Sequence, residues 1–272
     1  MFFVVKWAKI KLLAVGVTVF CCFAGMMVAG QRAQQVSDAA YEELYPDLYV
    51  DSEGTFEPET GKVVYYTFDD GPSKNTLAIL DVLKEKGVKA TFFVTGQEAA
   101  GIDSDAVLKR IVEEGHSIGI HTYSHKSKEI YQSVESYLED FYKIREKIIQ
   151  ATGVQPHIFR FPGGSVNNSF ADPAVQKAIR IEMRRRGFIY YDWNVVSGDD
   201  KSYMTDTQTL IQNIVNGAQG KDKVVILCHD DSMRISTAEA VGPVIDQLTA
   251  QGYRFDRLTE SVEPVQFNHN DD

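Results

Sequence analysis

From residue 62 onward, short apolar runs alternate with longer amphipathic stretches, and this alternation constrains the fold of the 272-residue chain more than any other feature. The runs at 62–68, 90–94, 118–121, 158–161, 188–193 and 224–229 are rich in β-branched and aromatic residues and read as strands. Between them the pattern predicts helices at 75–86, 105–114, 133–152, 173–186, 207–217 and 237–251. In the third of these, Val134, Tyr137, Leu138, Phe141, Ile144 and Ile148 fall on one face. Strands alternating with helices imply an α/β fold with a parallel sheet, and the length suits a closed or nearly closed (β/α) barrel. In such a barrel, active sites are built at the C-terminal ends of the strands.

The chain's chemically loaded residues stand at those ends. The first strand closes on Asp69-Asp70-Gly71-Pro72, an acid pair followed by turn residues. Neighbouring side chains on an extended strand point to opposite faces, so two carboxylates serving one site require the backbone to be turning already. Carboxylates this close also split into different roles, one binding a cation and the other acting as a base. Downstream, His121 and His125 lie four apart in His121-Thr122-Tyr123-Ser124-His125, a spacing that can present two ring nitrogens to one ion from a helix or a tight loop. Imidazole with carboxylate suits Zn2+, with Co2+ or a similar ion as the alternative, and three protein ligands leave a position open for water. His116 lies about 16 Å from His121 at about 3.3 Å per residue along a strand, too far to share that ion. His157 and His269 belong to no pattern and are expected to be exposed.

Three further motifs complete a series: Arg160-Phe161-Pro162-Gly163-Gly164, Asp192-Trp193 and Leu227-Cys228-His229. With Thr67-Phe68-Asp69-Asp70-Gly71-Pro72 and the histidine pair, they stand in order along roughly 160 residues, a domain-sized span. In this the chain resembles the polysaccharide deacetylase family, the NodB-homology or carbohydrate esterase 4 domain. The resemblance implies a distorted (β/α) barrel with fewer than eight strands. It implies that Asp69 is the general base for the attacking water, that Asp70, His121 and His125 hold the metal, and that Arg160 orients Asp69. It further implies that His229 is the general acid, with Asp192 holding its ring, and that Trp193 and Leu227 wall a slot for the acetyl methyl. The Gly163 N–H would help to stabilise the oxyanion. The chain departs from the family's usual pattern at Gly163, often tyrosine, and at Ile120, often asparagine; neither change removes a catalytic group.

The start of the chain sets its expected location. Lys6, Lys9 and Lys11 precede a charge-free run at 12–30, long enough at about 1.5 Å per residue to span a bilayer of about 30 Å. Lysines before the run favour export of the polypeptide beyond it. The expected organisation is a membrane anchor at 1–30, a polar stalk at 31–60, the catalytic domain at 61–260 and a tail at 261–272. The alternative at the N-terminus is a signal cleaved near Val28-Ala29-Gly30, giving a secreted protein. Cys21 and Cys22 fall within the apolar run, so Cys228 is the one cysteine beyond it and a disulfide framework is excluded within one copy.

The formal net charge of -10 argues against nucleic acid as a partner. The one basic run, residues 184–186, precedes Gly187 as the last turn of a helix would. The expected function is removal of N-acetyl groups from an N-acetylated cell-wall polysaccharide, first of all the N-acetylglucosamine of peptidoglycan, by a monomeric enzyme. Chitin oligomers or acetylxylan are alternative substrates. A glycan-binding pseudoenzyme is the rival from another class, and loss of a ligand or base, which would betray it, is not found.

Overall fold

The alternation of strand and helix is realised in one parallel sheet. The computed structural model describes residues 41–51, 55–167, 169, 171–203 and 205–268. Within them the strands are β1 (Val63–Asp69), β2 (Thr91–Thr95), β3 (Ser117–Thr122), β4 (Ile158–Phe159), β5 (Ile189–Tyr190), β6 (Val195–Val196), β7 (Lys223–His229) and β8 (Arg254–Asp256). The helices are α1 (Lys74–Lys86), α2 (Ser104–Glu113), α3 (Ser127–Ile130), α4 (Val134–Thr152), α5 (Pro173–Arg185), α6 (Thr207–Ala218) and α7 (Ile235–Ala250). They belong to one compact unit that begins at Asp47. The expected anchor or signal at 1–30 lies outside the described residues. Among those described, no helix is long and apolar enough to cross a membrane.

Seven strands follow the order β5-β4-β3-β2-β1-β7-β6, and β8 adds to β1, so the sheet has eight strands where fewer than eight were expected. β8 pairs with the first half of β1, through Val63 to Tyr65, and β2 with the second half, through Thr67 to Asp69. The two therefore share one edge of β1, and the eighth strand fits without lengthening the path. Strands β5 and β6 do not pair, which leaves the curled sheet open on that side. The segment 259–267 is tied along the opening: the Tyr191 hydroxyl donates to the carbonyls of Thr259 and Val262, and the Asp192 N–H donates to Val265 O at 2.8 Å.

All seven residues of β1 are buried, as a parallel strand covered on both faces requires. Val63 and Tyr65 point inward and pack with Phe93, Ile158, Tyr191, Val225 and Leu258 as a plug at the base of the barrel. The same face then turns polar at Thr67 and Asp69, so the period of two carries one strand from core to site. On the outer face Tyr66 stacks on Phe68 and Phe68 on Phe92, with centroids 4.7 and 5.2 Å apart. Helix α4 buries the face expected of it, and Phe141 there meets Phe159 and Phe188 edge to face, at 5.4 and 4.9 Å. Such aromatic pairs contribute about 0.5–1.5 kcal/mol each beyond their buried area.

Two expected boundaries move. Residues 47–50, assigned to the stalk, pack as part of the compact unit: Leu48 is buried, its carbonyl accepts from Arg186 Nη1 at 3.2 Å, and the Val50 N–H donates to Arg186 O at 2.9 Å. At the other end, residues 261–267, assigned to a tail, close the sheet opening. Most of the basic run is spent in the same packing. Arg185 and Arg186 both clasp Glu182, at 2.8 and 2.6 Å, and both lie over the Tyr49 ring. A buried guanidinium needs such partners, so Arg185 and Arg186 serve the packing, while Arg184 is exposed.

Candidate active site

The register of β1 with its neighbours places the site. Asp69 sits opposite Phe93 of β2 and His229 of β7. Asp70 comes next in the left-handed region, with φ 77°, so the backbone turns where the adjacent carboxylates require it to. The turn then passes hard against the end of β7. A Cβ on Gly71 would lie 2.5 Å from Asp230 Oδ2, closer than any real contact, so only glycine fits there. The carboxyl of Asp230 is wholly buried and accepts from the Thr76 hydroxyl, while its carbonyl accepts from Ser73 Oγ. Burial, reinforced by the charges of Asp70 and Asp69, pushes Asp230 up to about 8.

Asp70, His121 and His125 converge. Asp70 Oδ1 stands 3.4 Å from His121 Nε2 and 3.0 Å from His125 Nε2, and the three ligand atoms lie within 4.8 Å of one another. His121 Nδ1 meets the Arg160 carbonyl at 2.9 Å, a bond in which the ring N–H donates and the Nε2 lone pair is left facing Asp70. Burial pulls the His121 imidazole below its ordinary pKa against the pull of Asp69 and Asp70, which favours the neutral, ligating form. For Asp70, burial works upward, but the hydrogen bond to His125 and the charges of His121, His125 and His229 hold the carboxyl well below the usual range. Asp70 Oδ1 is also a buried oxygen whose polar neighbours are the Nε2 atoms of His121 and His125. Burial disfavours the His125 imidazolium, but the hydrogen bond and charge of Asp70 raise its pKa above the ordinary value, so a cation entering here would compete with a proton on that ring. An anionic oxygen and two imidazoles aimed at one point fit a divalent cation of the zinc type.

Beside this trio lies a buried ion pair. Arg160 is fully buried, and its Nη1 donates to Asp69 Oδ1 at 2.9 Å and to Thr67 Oγ1 at 2.5 Å. Its Nε donates to Tyr191 O and its Nη2 to Asp192 O, at 2.9 and 3.1 Å, and Phe93 underlies the guanidinium 4.4 Å away. The planar fork is thus locked from several directions, which fixes the Asp69 carboxylate.

On the other side stands His229, and here the structure corrects the expectation. The carboxylate on its ring is Asp199: His229 Nδ1 and Asp199 Oδ1 are 2.8 Å apart, while Oδ2 accepts from the His229 N–H at 2.8 Å and from Thr237 Oγ1 at 2.9 Å. Asp192 cannot do this, because its two oxygens are taken by the Ser165 N–H, the Ser165 hydroxyl and the Phe267 N–H. It ties loops together under the site. Burial disfavours the imidazolium of His229, but the hydrogen bond and charge of Asp199, then Asp70 and Asp69, raise it to about 9. Asp199 was missed because it lies just after β6, a strand of two residues with no readable period, whereas Asp192 stood in the conspicuous pair Asp192-Trp193.

The remaining expected residues lie around this centre. Leu227 is two residues before His229, on the same face of β7, and is largely buried. Trp193 is half-buried, packed edge-on against Phe267 at 5.0 Å and over Arg160 at 5.6 Å. Gly163 is exposed at φ 76°, and a Cβ there would strike Asn167 Nδ2 at 1.9 Å, which accounts for glycine where the family often has tyrosine. His116 stays apart, buried with its Nδ1 accepting from the Ala90 N–H at 3.1 Å. His157, expected to be exposed, is half-buried and paired with Glu260 at 2.5 Å. His269 lies outside the described residues.

Residues 57–181 match the sequence profile of the family described as polysaccharide deacetylase. YheN of Bacillus subtilis, whose name places it in the same family, is 31% identical over 87% of this chain and 81% of its own length. The chain belongs to the polysaccharide deacetylase family. As a member of it, the protein is a deacetylase enzyme, built on the curled parallel sheet seen in solved members. A peptidoglycan-N-acetylglucosamine deacetylase of Bacillus cereus is 29% identical over 98% of this chain and 95% of its own length. The crystal structure of the catalytic domain of peptidoglycan N-acetylglucosamine deacetylase from Eubacterium rectale superposes with a TM-score of 0.74. It is 34% identical and covers 83% of this deacetylase and 99% of that chain.

Proposed function

We propose that this deacetylase removes the acetyl group from N-acetylglucosamine of peptidoglycan with a divalent ion held by Asp70, His121 and His125. The observation that carries the reading is the convergence of those three ligand atoms within 4.8 Å, flanked by the Asp69–Arg160 and His229–Asp199 pairs. The likeness to relatives named as peptidoglycan-N-acetylglucosamine deacetylases supports the substrate.

A cation of this kind, when bound, supplies a Lewis acid that polarises the acetyl carbonyl and makes a nearby water acidic. Asp69, whose Oδ1 is engaged by Arg160, offers Oδ2 as acceptor for the proton of the attacking water. The water oxygen bonds to the acetyl carbon, and the developing negative oxygen is met by the Gly163 N–H. His229 is protonated at neutral pH, and with Nδ1 spoken for by Asp199 it gives its Nε2 proton to the sugar nitrogen as the C–N bond breaks. The products are acetate and a free amine. Leu227 and Trp193 offer apolar surface beside this centre for the acetyl methyl.

The charge-free run at 12–30, preceded by three lysines, supports anchorage in the membrane with the catalytic unit outside the cytoplasm. Release after signal cleavage would leave the unit on the same side.

The substrate is tested by acetate release from N-acetylated peptidoglycan, chitin oligomers and acetylxylan, each supplied to the full chain in detergent. Peptidoglycan is expected to be turned over fastest, with free amines appearing in step with acetate. Faster release from acetylxylan, an ester, would contradict the proposed substrate, and silence on all three would favour a glycan-binding pseudoenzyme.

A further inference from the structure

Both histidines of the proposed metal centre depend on one short loop, and its geometry is unusual. His121 is the penultimate residue of β3, while His125 lies beyond the strand in the left-handed region, at φ 54°, uncommon for any residue but glycine. The residues between them form no helix and pair with no strand past Thr122. Their backbone groups must therefore find partners elsewhere. The carbonyls are answered from the loop after β2: the Gly96 N–H donates to Thr122 O and Tyr123 O at 3.1 and 3.0 Å, and Gln97 Nε2 donates to Ser124 O at 3.0 Å. The amides are answered by a single side chain. Asp140, half-buried on α4, accepts from the Tyr123 N–H at 2.6 Å and the Thr122 hydroxyl with Oδ1, and from the Ser124 N–H at 3.0 Å with Oδ2. The Thr122 hydroxyl in turn accepts from the His125 N–H at 3.4 Å, which links Asp140 to the second imidazole.

We propose that Asp140 is a positioning residue for the metal centre: its carboxylate gathers the loop's donors into one clasp and so sets the His125 ring against Asp70 and His121. It touches none of the three ligand side chains and acts through the backbone that carries them. Helix α4 is a rigid support for this, anchored in the core by Tyr137, Phe141 and Ile144. A loop left to itself would sample many conformations, and the ion would have to order it on binding; the clasp meets that cost in advance. The inference rests on the metal-site reading above.

The test is Zn2+ binding by calorimetry, with the visible spectrum of the Co2+-loaded protein as a report on ligand geometry, for the wild type, Asp140→Ala, Asp140→Asn and Glu139→Gln. Asp140→Asn is nearly isosteric and keeps one accepting oxygen, but sets an amide N–H2 against a backbone N–H. It is expected to weaken Zn2+ affinity by roughly 10-fold and Asp140→Ala by up to about 100-fold, the range found for groups that orient metal ligands. The Co2+ spectrum should change in both, while Glu139→Gln, next along the helix and exposed, should match the wild type. Thermal unfolding of the metal-free proteins separates clasp from scaffold: the Asn variant should melt close to the wild type yet bind less well. Wild-type affinity and spectrum in a folded Asn variant would overturn the role of Asp140. If the wild type itself bound no metal, or His121→Ala bound as well as the wild type, the metal-site reading would fall first and this inference with it.

Discussion

Asp69→Asn should lower kcat for acetate release by roughly 10²- to 10⁴-fold, the contribution of a positioned general base. The substitution keeps shape and the Arg160 contact, since an amide oxygen still accepts from Nη1, but an amide cannot take up a proton. The metal ligands are untouched, so bound metal per chain should equal that of the wild type, and KM should move little because the lost interaction belongs to the transition state. Arg160 would keep its carbonyl acceptors on residues 191 and 192 but lose the opposing charge inside the barrel. Stability should therefore fall by about 1–3 kcal/mol, read from urea unfolding, and activity must be normalised to folded protein. Unimpaired turnover in this variant would remove Asp69 from the chemistry.

The second large effect is expected at Asp199, the residue that sequence reasoning passed over. Asp199→Asn removes the negative charge that helps to hold His229 at about 9 and leaves at best a weaker, neutral hydrogen bond to the ring. A general acid works while protonated, so activity is present below its pKa and is lost as pH rises through it. The alkaline limb of kcat, at or below about pH 9 in the wild type, should move to lower pH by more than one unit, with kcat at the optimum down by roughly 10²-fold. The same pairing stabilises the fold. Because the folded pKa lies above the ordinary histidine value of 6.5, that contribution is complete below 6.5 and disappears as pH rises through about 9. The Asn variant should thus lose most stability at pH 6 and a smaller amount above pH 9.5, where only the bonds of Oδ2 with the His229 N–H and the Thr237 hydroxyl are perturbed. The pH profile of Asp192→Asn should keep its alkaline limb, since Asp192 binds loop donors and does not meet the imidazole.

These two aspartates mark where the sequence was legible and where it was not. β1 could be read because seven consecutive buried positions, β-branched or aromatic until the final acid, announce a parallel strand, and Gly71-Pro72 announces its end. The face of α4 could be read because six apolar residues, from Val134 to Ile148, keep helical spacing within a helix of nineteen residues. The Asp-His-His trio emerged from placing motifs at strand ends, since a parallel sheet brings those ends together whatever the intervening chain does. By contrast β6 has two residues and β8 is Arg-Phe-Asp, so neither offers a period or an apolar signal, and Asp199 inherited the obscurity of the strand before it. Asp140 was hidden differently. On a helix, an acid on the polar side resembles any solvated charge until the fold brings the β3 loop beneath it. Residues 47–50 and 261–267 looked like stalk and tail because their contacts are with Arg186, Tyr191 and Asp192, far away in sequence, and local composition carries no trace of that.

Metal removal tests the central claim most directly. The purified deacetylase is stripped with chelator, its residual metal is counted by elemental analysis, and acetate release from N-acetylated peptidoglycan is monitored before stripping, after it, and after adding back one equivalent of Zn2+ or Co2+. Activity should disappear with the metal and return with it, whereas His121→Ala should neither hold metal nor recover. Undiminished acetate release from protein shown to be metal-free would contradict the account.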